Sequence, residues 1–472
     1  MSADNDLDKR LASVIPHERQ FRFQQLEFYA FIHFTVNTFT DREWGDGTES
    51  PAIFDPKKLD AEQWVKAVKS AGMKGLILTC KHHDGFCLWQ TKYTKHAVAS
   101  SPWKGGKGDV VREVSEACKK HGIKFGVYLS PWDMNCPLYG QGKAYDDYFA
   151  GQLTELLTNY GDVFSVWFDG ACGEGPNGKK QYYDWERYYK VIRELQPNAC
   201  ISVCGPDIRW CGNEAGHTRA AEWSVVPERA RNSEIISEKS QHSDSEEFRE
   251  RRIDARDNDL GSRQVLKNEE KLIWYPAEVN TSIRPGWFWH PSEDDKVRSL
   301  DELVNIYNNS VGGNATFLLN IPPTCDGLLH ENDVKRLTEL GEYIKTTFAE
   351  NIADSARLSS DSGNIEAARL DDYDTYYIAE RTAAEITAEW SKPVTIGCIV
   401  LKENILKGQR VESFTAEALI DGKYAEIYKG TVIGYKRIIP LKNIITKSIR
   451  IKITDSRTEP TLAFIGIYKG QA

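Results

Sequence analysis

Long hydrophobic runs are missing from this sequence. No stretch of about 18 apolar residues occurs anywhere in its 472 residues, so no membrane-spanning helix is predicted. Residues 1–10 are polar and contain no apolar segment of the kind that a secretory signal requires. No signal peptide is therefore predicted in the sequence as given, and the composition is that of a globular protein.

Metal-binding cysteine pairs and an excess of positive charge are also missing. None of the 10 cysteines forms a C-x-x-C pair with zinc spacing, so we predict neither a zinc site nor disulfides, and no compartment follows from them. The net charge is −9 with both signs mixed, which argues against nucleic acid or an anionic membrane as the main partner. The sequence predicts no cofactor and gives no oligomeric state.

Short apolar runs alternate with amphipathic helical patterns from residue 27 onward. The predicted strands are residues 27–33, 75–80, 125–129, 163–168, 200–204, 221–223, 272–276 and 315–320, and the helical patterns include 60–71, 109–121, 148–160, 183–195 and 300–311. Eight such units predict an α/β fold with a (β/α)8-type barrel as the catalytic domain, residues 1–350. An open doubly wound sheet is disfavoured because no glycine-rich phosphate loop follows the first strand.

Two segments depart from this alternation. Residues 226–271 are charged and poor in large apolar residues, which predicts a long surface excursion after the sixth strand. After a closing helix at 331–348, the chain changes to short, often alternating runs, with Asp421-Gly422 as a turn between two of them. Residues 351–472 are therefore predicted to form a C-terminal all-β sandwich.

Polar or aromatic residues stand at the end of every predicted barrel strand, where barrel enzymes carry their chemistry. They are His33, His82, His83, Asp84, Tyr128, Trp132, Asp133, Asp169, Asp207, Arg209, Glu222, Trp223, Glu278 and Asn320. Asp169 is the most informative, because it ends a buried run beside Trp167. With 13 Trp and 21 Tyr in the chain, this pattern suggests an enzyme that holds a sugar ring and cleaves its glycosidic bond.

The adjacent pair His82-His83 is a weak candidate for a metal site. Neighbouring residues on a strand point to opposite faces, so at most one of the two should face the cavity. Metal-binding histidines prefer spacings that place both on one side. We therefore predict no metal and expect the cavity-facing histidine to bind a sugar hydroxyl.

Several motifs together resemble the α-L-fucosidases of glycoside hydrolase family 29. They are WFDG at 167–170, CKHHDGF at 80–86, VYLSPW at 127–132, and LLNIPP at 318–323 followed by DG at 326–327. Three more segments are similar to the subgroup selective for α-1,3/1,4-linked fucose: CGNEAG at 211–216, AEWSVVP at 221–227 and SIRPGWF at 282–288. The resemblance spans about residues 20–350, with the sandwich as a usual C-terminal companion.

The resemblance implies a retaining mechanism with Asp169 as nucleophile and Glu214 as general acid/base. It also implies that the fucose is held by His33, His82, His83, Tyr128 and Trp167, with Glu43 and Trp44 as a further contact. The other substrate-binding candidates are Glu222, Trp223, Glu278, Arg284 and Trp287. The residue types fit the chemistry, because retention needs two carboxyl groups about 5–5.5 Å apart, one ionised and one protonated.

Position along the chain leaves Glu214 and Glu222 open as the acid. Glu222 stands nearer a predicted strand end, whereas Glu214 lies on a glycine-flanked loop. Position therefore slightly favours Glu222, and only the resemblance of residues 211–216 reverses that preference.

The sequence thus predicts an exo-acting α-1,3/4-L-fucosidase that acts on Lewis-type or milk-type glycans. The alternatives are a barrel glycosidase of other sugar specificity and a non-catalytic carbohydrate-binding protein. The resemblance further suggests an exported bacterial enzyme, periplasmic or extracellular, whose signal peptide is absent from the sequence as given.

Overall fold

A computed structural model describes residues 2–233 and 259–470 of the chain. Eight parallel strands form one sheet in the order β5-β4-β3-β2-β1-β10-β9-β6. They are β1 (Phe28–Ile32), β2 (Gly75–Lys81), β3 (Lys124–Leu129), β4 (Val163–Phe168), β5 (Cys200–Val203), β6 (Arg209–Trp210), β9 (Ala277–Ser282) and β10 (Ala315–Asn320). A single parallel bridge between Ser202 and Ile208 joins the two edge strands, so the barrel is nearly closed.

The helices of the barrel begin at side-chain caps that the sequence supplies. Asp60, Asp109 and Asp184 each accept a hydrogen bond from the third backbone N–H of the following helix, and Ser299 forms a capping box with Glu302. The helices are α1 (Ser2–Ala12), α2 (Glu18–Gln24), α3 (Val36–Thr40), α4 (Ala61–Ser70), α5 (Val110–His121), α6 (Lys143–Asn159), α7 (Trp185–Leu195), α8 (Arg263–Leu266), α9 (Leu300–Ser310) and α10 (Glu331–Thr347). None of the helices described here is long and apolar enough to cross a membrane.

Two of the eight predicted barrel strands are wrong. The sixth barrel strand is Arg209–Trp210 rather than 221–223, and the seventh is Ala277–Ser282 rather than 272–276. Instead, β7 (Val225–Pro227) and β8 (Leu272–Trp274) pair antiparallel outside the barrel. β9 was not predicted because its sequence, AEVNTS, is mostly polar although it is fully buried. β6 was not predicted because it has only two residues. Hydrophobicity alone could not reveal either strand.

The predicted surface excursion begins and ends at this antiparallel pair. β7 and β8 bring residues 225–227 and 272–274 side by side, so the segment between them leaves and rejoins the barrel at one place. Residues 234–258 of the excursion lie outside the described part of the chain. Near its return, Gly261 packs against Trp223, and Arg263 pairs with Asp8.

The C-terminal part of the chain is antiparallel β-structure, as predicted. Its main sheet has the order β11-β13-β16-β14-β15, with β18 paired to β13, and a second sheet pairs β12 with β17. The strands are β11 (Arg357–Ser360), β12 (Tyr377–Ile378), β13 (Ala384–Lys402), β14 (Val411–Ile420), β15 (Lys423–Gly430), β16 (Arg437–Ser456), β17 (Thr461–Leu462) and β18 (Phe464–Lys469). All ten cysteines are free thiols.

This β-structure packs against the side of the barrel. Cys398, Val400, Ile438 and Phe464 belong to the same buried cluster as the outer face of the barrel strands. Glu27, which precedes β1, pairs with Lys436 and Lys402; burial raises the pKa of this carboxyl, but the two ammonium groups bring it well below its usual range. The barrel and the sheet are therefore joined by both apolar and ionic contacts.

Candidate active site

The carboxyl ends of the barrel strands surround one small pocket. Its cavity volume is about 90 Å³. It is lined by Phe31, His33, Glu43, Trp44, His82, His83, Trp167, Asp169, Gly170, Ala171, Val203, Trp210, Glu214, Asn280 and Trp287. A pocket of this size and polarity fits a single sugar ring better than a chain of sugars.

Asp169 follows the last residue of β4 and is held in place by two hydrogen bonds. The hydroxyl of Tyr128 donates to Oδ2 over 2.8 Å, and the backbone N–H of Ala171 donates to Oδ1 over 2.8 Å. Burial and the Asp169 charge raise the pKa of Tyr128 well above its usual range, so the phenol keeps the proton that it donates. Together the two bonds fix the orientation of the Asp169 carboxylate at the edge of the pocket.

His33 follows β1 and is held as a neutral imidazole. Burial lowers its pKa to about 4. Asn320, at the end of β10, donates its amide hydrogens to Ser282 and to the Trp287 carbonyl, so its Oδ1 accepts the hydrogen of His33 Nδ1 over 2.8 Å. Because Nδ1 carries the hydrogen, His33 Nε2 is an acceptor, which suits a sugar hydroxyl.

His82 and His83 both line the pocket, which corrects the expectation that at most one would. Strand β2 ends at Lys81, so the alternation of faces does not extend to the two histidines. His83 Nδ1 bonds Ser130 over 2.7 Å, and burial lowers the pKa of His82 well below its usual range. Ligand atoms of both histidines and Asp169 lie within 4.8 Å of one another, close enough for a metal ion. Metal independence therefore stays a prediction.

Glu214 reaches the pocket from the loop that follows β6. The indole N–H of Trp287, on the loop after β9, donates to Glu214 Oε2 over 3.3 Å. Trp287 is positioned by Glu43, which accepts its backbone N–H over 2.8 Å and that of Phe288 over 3.1 Å. Three loops from different strands thus meet around Glu214.

His290 completes the support of the Trp287 loop. Its Nε2 lies 2.6 Å from Glu43 Oε1, and the hydrogen bond that it donates to that carboxylate raises the pKa of His290 to about 9. At neutral pH the imidazolium and Glu43 form an ion pair beside the pocket. Sequence reasoning missed His290, which adjoins the SIRPGWF segment.

Glu278 does not line the pocket, which corrects its expected place at a strand end. It is the second residue of β9 and lies inside the barrel, fully buried. It accepts the indole N–H of Trp167 over 2.7 Å and the hydroxyl of Tyr29, and burial raises its pKa to about 7. Glu278 therefore holds Trp167, whose ring faces the pocket, and does not itself reach the pocket.

Glu222, Trp223 and Arg284 also lie outside the pocket lining. Glu222 is buried between Arg209 and Arg219; burial raises its pKa, but the two guanidinium groups bring it below its usual value. Glu222 therefore lies in a buried ion-pair cluster and does not line the pocket. The expectation from chain position failed because residues 221–223 are not a barrel strand.

The other two residues stabilise neighbouring parts of the fold. Trp223 is covered by the Arg457 guanidinium, 3.5 Å from the ring centroid. Arg284 is buried and pairs with Asp333 and Asp294, both at 2.9 Å.

Six pocket residues were not among the predicted site residues: Phe31, Gly170, Ala171, Val203, Trp210 and Asn280. Phe31 lies on β1, two residues before His33, and the centroids of the two rings are 4.5 Å apart. Trp210 and Asn280 bond each other over 2.8 Å, but they belong to the two strands that the sequence did not reveal.

Comparisons with known proteins agree with this geometry. The family profile described as "Alpha-L-fucosidase" matches residues 8–348. The chain belongs to the α-L-fucosidase family. It is 37% identical over 468 residues to "Alpha-L-fucosidase 1" of Arabidopsis thaliana, covering 96% of this chain and 87% of that protein.

Solved structures give the same result. The crystal structure of a putative α-L-fucosidase from Bacteroides ovatus is 45% identical, with a TM-score of 0.86, covering 100% of this chain and 77% of that chain. A family 29 fucosidase of Ruminococcus gnavus, solved in complex with fucose, is 30% identical, with a TM-score of 0.83 and coverage of 97% and 95%. The chain is therefore a glycoside hydrolase that releases L-fucose, and not a non-catalytic binding protein.

Proposed function

We propose that this α-L-fucosidase is exo-acting and retaining, with Asp169 as nucleophile and Glu214 as acid/base, and that it selects α-1,3/1,4-linked fucose on branched glycans. The observation that carries the proposal is that both carboxylates line one pocket of single-sugar size. Of the two candidates for the acid, Glu214 alone has this position.

In the first step a carboxylate oxygen of Asp169 attacks the anomeric carbon of fucose. The bond to the leaving oxygen breaks, and Glu214 gives its proton to that oxygen. In the second step a water molecule gives a proton to Glu214 and attacks the same carbon, and Asp169 leaves. Two inversions release fucose first as the α-anomer, which proton NMR in the first minutes detects.

The pocket offers each part of fucose a matching surface. Neutral His33 accepts a hydrogen bond from a hydroxyl, and His82 Nδ1 has no hydrogen-bond partner among the residues that the structure describes. The aromatic faces of Phe31, Trp167 and Trp210 suit the apolar face and the methyl group of the sugar. Fucose, which has no 6-hydroxyl, fits this division of polar and apolar walls.

The linkage preference rests on three segments that resemble the selective subgroup, 211–216, 221–227 and 282–288. Two of them, 211–216 and 282–288, are neighbours in space, because the indole N–H of Trp287 donates to Glu214. They form the side of the site where the leaving sugar must pass the acid. Export from the cell stays a prediction of the resemblance, and fractionation of the native host tests it.

The experiment that tests the roles compares leaving groups. General-acid help matters most for a poor leaving group, so Glu214→Ala should cripple fucose release from a branched trisaccharide far more than from an activated aryl fucoside. Azide should rescue the aryl fucoside reaction and give α-fucosyl azide from the glycosyl-enzyme. Glu222→Gln is the matched control and should leave the ratio of the two rates unchanged. Azide rescue of Glu222→Gln alone would contradict the assignment.

The linkage preference is tested with intact wild-type enzyme. Fucose release is measured from α-1,3- and α-1,4-fucosylated trisaccharides and from an α-1,2-linked fucoside of equal size. Equal kcat/KM on all three would refute the selectivity and leave the roles of the carboxylates untouched.

A further inference from the structure

A second, much larger cavity starts beside the pocket. Its volume is about 1050 Å³, more than ten times that of the fucose pocket. Its near end includes Ala215, the residue after Glu214, and Pro285, two residues before Trp287. It runs along helix α9 as far as Gly313, which precedes β10, and to residues 428–431 at the end of β15. We call this cavity the side groove.

The walls of the side groove are polar. Glu302, Asn305 and Asn309 lie on α9 at spacings of three and four residues, so they form one face of that helix. The opposite wall comes from the C-terminal sheet and includes Tyr428 and Thr431. Amides, hydroxyls and an aromatic ring are the groups with which proteins bind sugars, so the walls suit further units of a glycan.

The side groove is also basic, although the chain as a whole has a net charge of −9. One carboxylate, Glu302, lines it, together with six cationic residues: Arg219, Arg284, Lys296, Arg298, Lys429 and Arg437. The charge of Arg219 is balanced by an ion pair with Glu222, and that of Arg284 by ion pairs with Asp294 and Asp333.

Two of these cations are exposed and also lack a carboxylate partner. Lys296 and Lys429 are exposed and pair with no carboxylate among the described residues. They stand on different walls, Lys296 before α9 and Lys429 on β15. An anion in the side groove would therefore meet positive charge from both sides.

We propose that the side groove binds the rest of the glycan to which fucose is attached, and that it selects glycans carrying an anionic substituent, a sulfate ester or a sialic acid carboxylate. The inference rests on the proposed roles of Asp169 and Glu214, because the leaving oxygen must lie at Glu214. From there the sugar chain passes Ala215 and enters the side groove, where Lys296 and Lys429 attract its charge.

The test uses four substrates: an aryl fucoside, a neutral fucosylated trisaccharide, and the same trisaccharide with a sulfate ester or with a terminal sialic acid. We expect kcat/KM for at least one acidic trisaccharide to exceed that for the neutral one about fivefold at low salt. The advantage should disappear at about 0.5 M salt, where charges are screened within a few ångströms. Comparing the sulfated with the sialylated trisaccharide shows whether the side groove prefers a sulfate ester or a carboxylate.

The variant Lys296→Glu/Lys429→Glu should lower kcat/KM for the preferred acidic substrate about tenfold, mainly through KM, and leave the neutral trisaccharide and the aryl fucoside unchanged. The matched control is Lys392→Glu/Lys447→Glu, which makes the same charge change at exposed lysines outside the side groove. No advantage for either acidic substrate, or an equal loss in both double variants, would overturn the inference.

Failure of the proposed function has a different signature. If the neutral trisaccharide is not cleaved while the aryl fucoside is, the assignment of branched substrates fails. Inhibition of aryl fucoside hydrolysis by the acidic glycan without fucose then tests the side groove directly. Inhibition that Lys296→Glu/Lys429→Glu abolishes supports the groove, and the absence of inhibition refutes it.

Discussion

Replacing Glu278 by glutamine should change how the stability of this protein depends on pH. The carboxyl is fully buried in the barrel and accepts hydrogen bonds from Trp167 and Tyr29. No cation pairs with it among the described residues. Burial is therefore the dominant influence, and it raises the pKa of Glu278 from 4.5 to about 7.

The sign of the effect follows from proton counting. Between pH 4.5 and 7 the folded state keeps the proton and the unfolded state has lost it, so the free energy of unfolding falls as pH rises. At about 1.4 kcal/mol for each pKa unit, the loss between pH 5 and pH 8 is about 2 to 3 kcal/mol. Glutamine does not titrate, so Glu278→Gln should not lose this stability. The free energy of unfolding of the variant minus that of wild type should therefore increase by about 2 to 3 kcal/mol from pH 5 to pH 8.

Urea unfolding of wild type and variant at pH 5 and pH 8 measures this difference. Taking the difference removes the contribution of other buried carboxyls, such as Asp84 and Glu403, which titrate in both proteins. Glu222→Gln is the control: the pKa of Glu222 is below its usual value, so its stabilising effect is constant from pH 5 to pH 8 and disappears only in acid. An equal difference at both pH values for Glu278→Gln would refute the reasoning.

Three other predictions concern the site. Asp169→Asn should lower turnover about a thousandfold or more with an unchanged melting temperature, because an amide cannot form the glycosyl-enzyme; activity within tenfold of wild type would remove Asp169 from that role. Chelators should leave the fucosidase rate unchanged, and a loss restored by zinc would instead assign a metal to His82, His83 and Asp169. The His290–Glu43 ion pair exists below pH 9 and is lost above it, so the wild-type KM for an aryl fucoside should rise severalfold there. In His290→Gln that KM should be raised at pH 7 already and stay constant to pH 10.

Hydrophobic periodicity revealed six of the eight barrel strands. Runs such as Val163–Phe168 are continuous and apolar because both faces of a barrel strand are buried. Periodicity failed for Arg209–Trp210 and Ala277–Ser282, where polar side chains inside the barrel bond partners on other strands. Trp210 and Asn280 bond each other, and Glu278 accepts from Tyr29 and Trp167. Those bonds join residues far apart in sequence, so no local pattern predicts them.

The sequence by itself determined the family, the barrel with its C-terminal β-structure, and the position of Asp169 at the end of a strand. Local features suffice for these, because a buried strand, a helix cap and a motif each involve a few neighbouring residues. Tertiary structure alone placed Glu214 at the pocket and Glu222 in a buried ion-pair cluster, and it placed both His82 and His83 in the pocket. It also assigned Glu278 and Arg284 to supporting positions. A carboxylate is a candidate acid when segments distant in sequence place a pocket beside it, and a buried ion-pair partner when they place guanidinium groups there. Only the fold sets the distances between these segments.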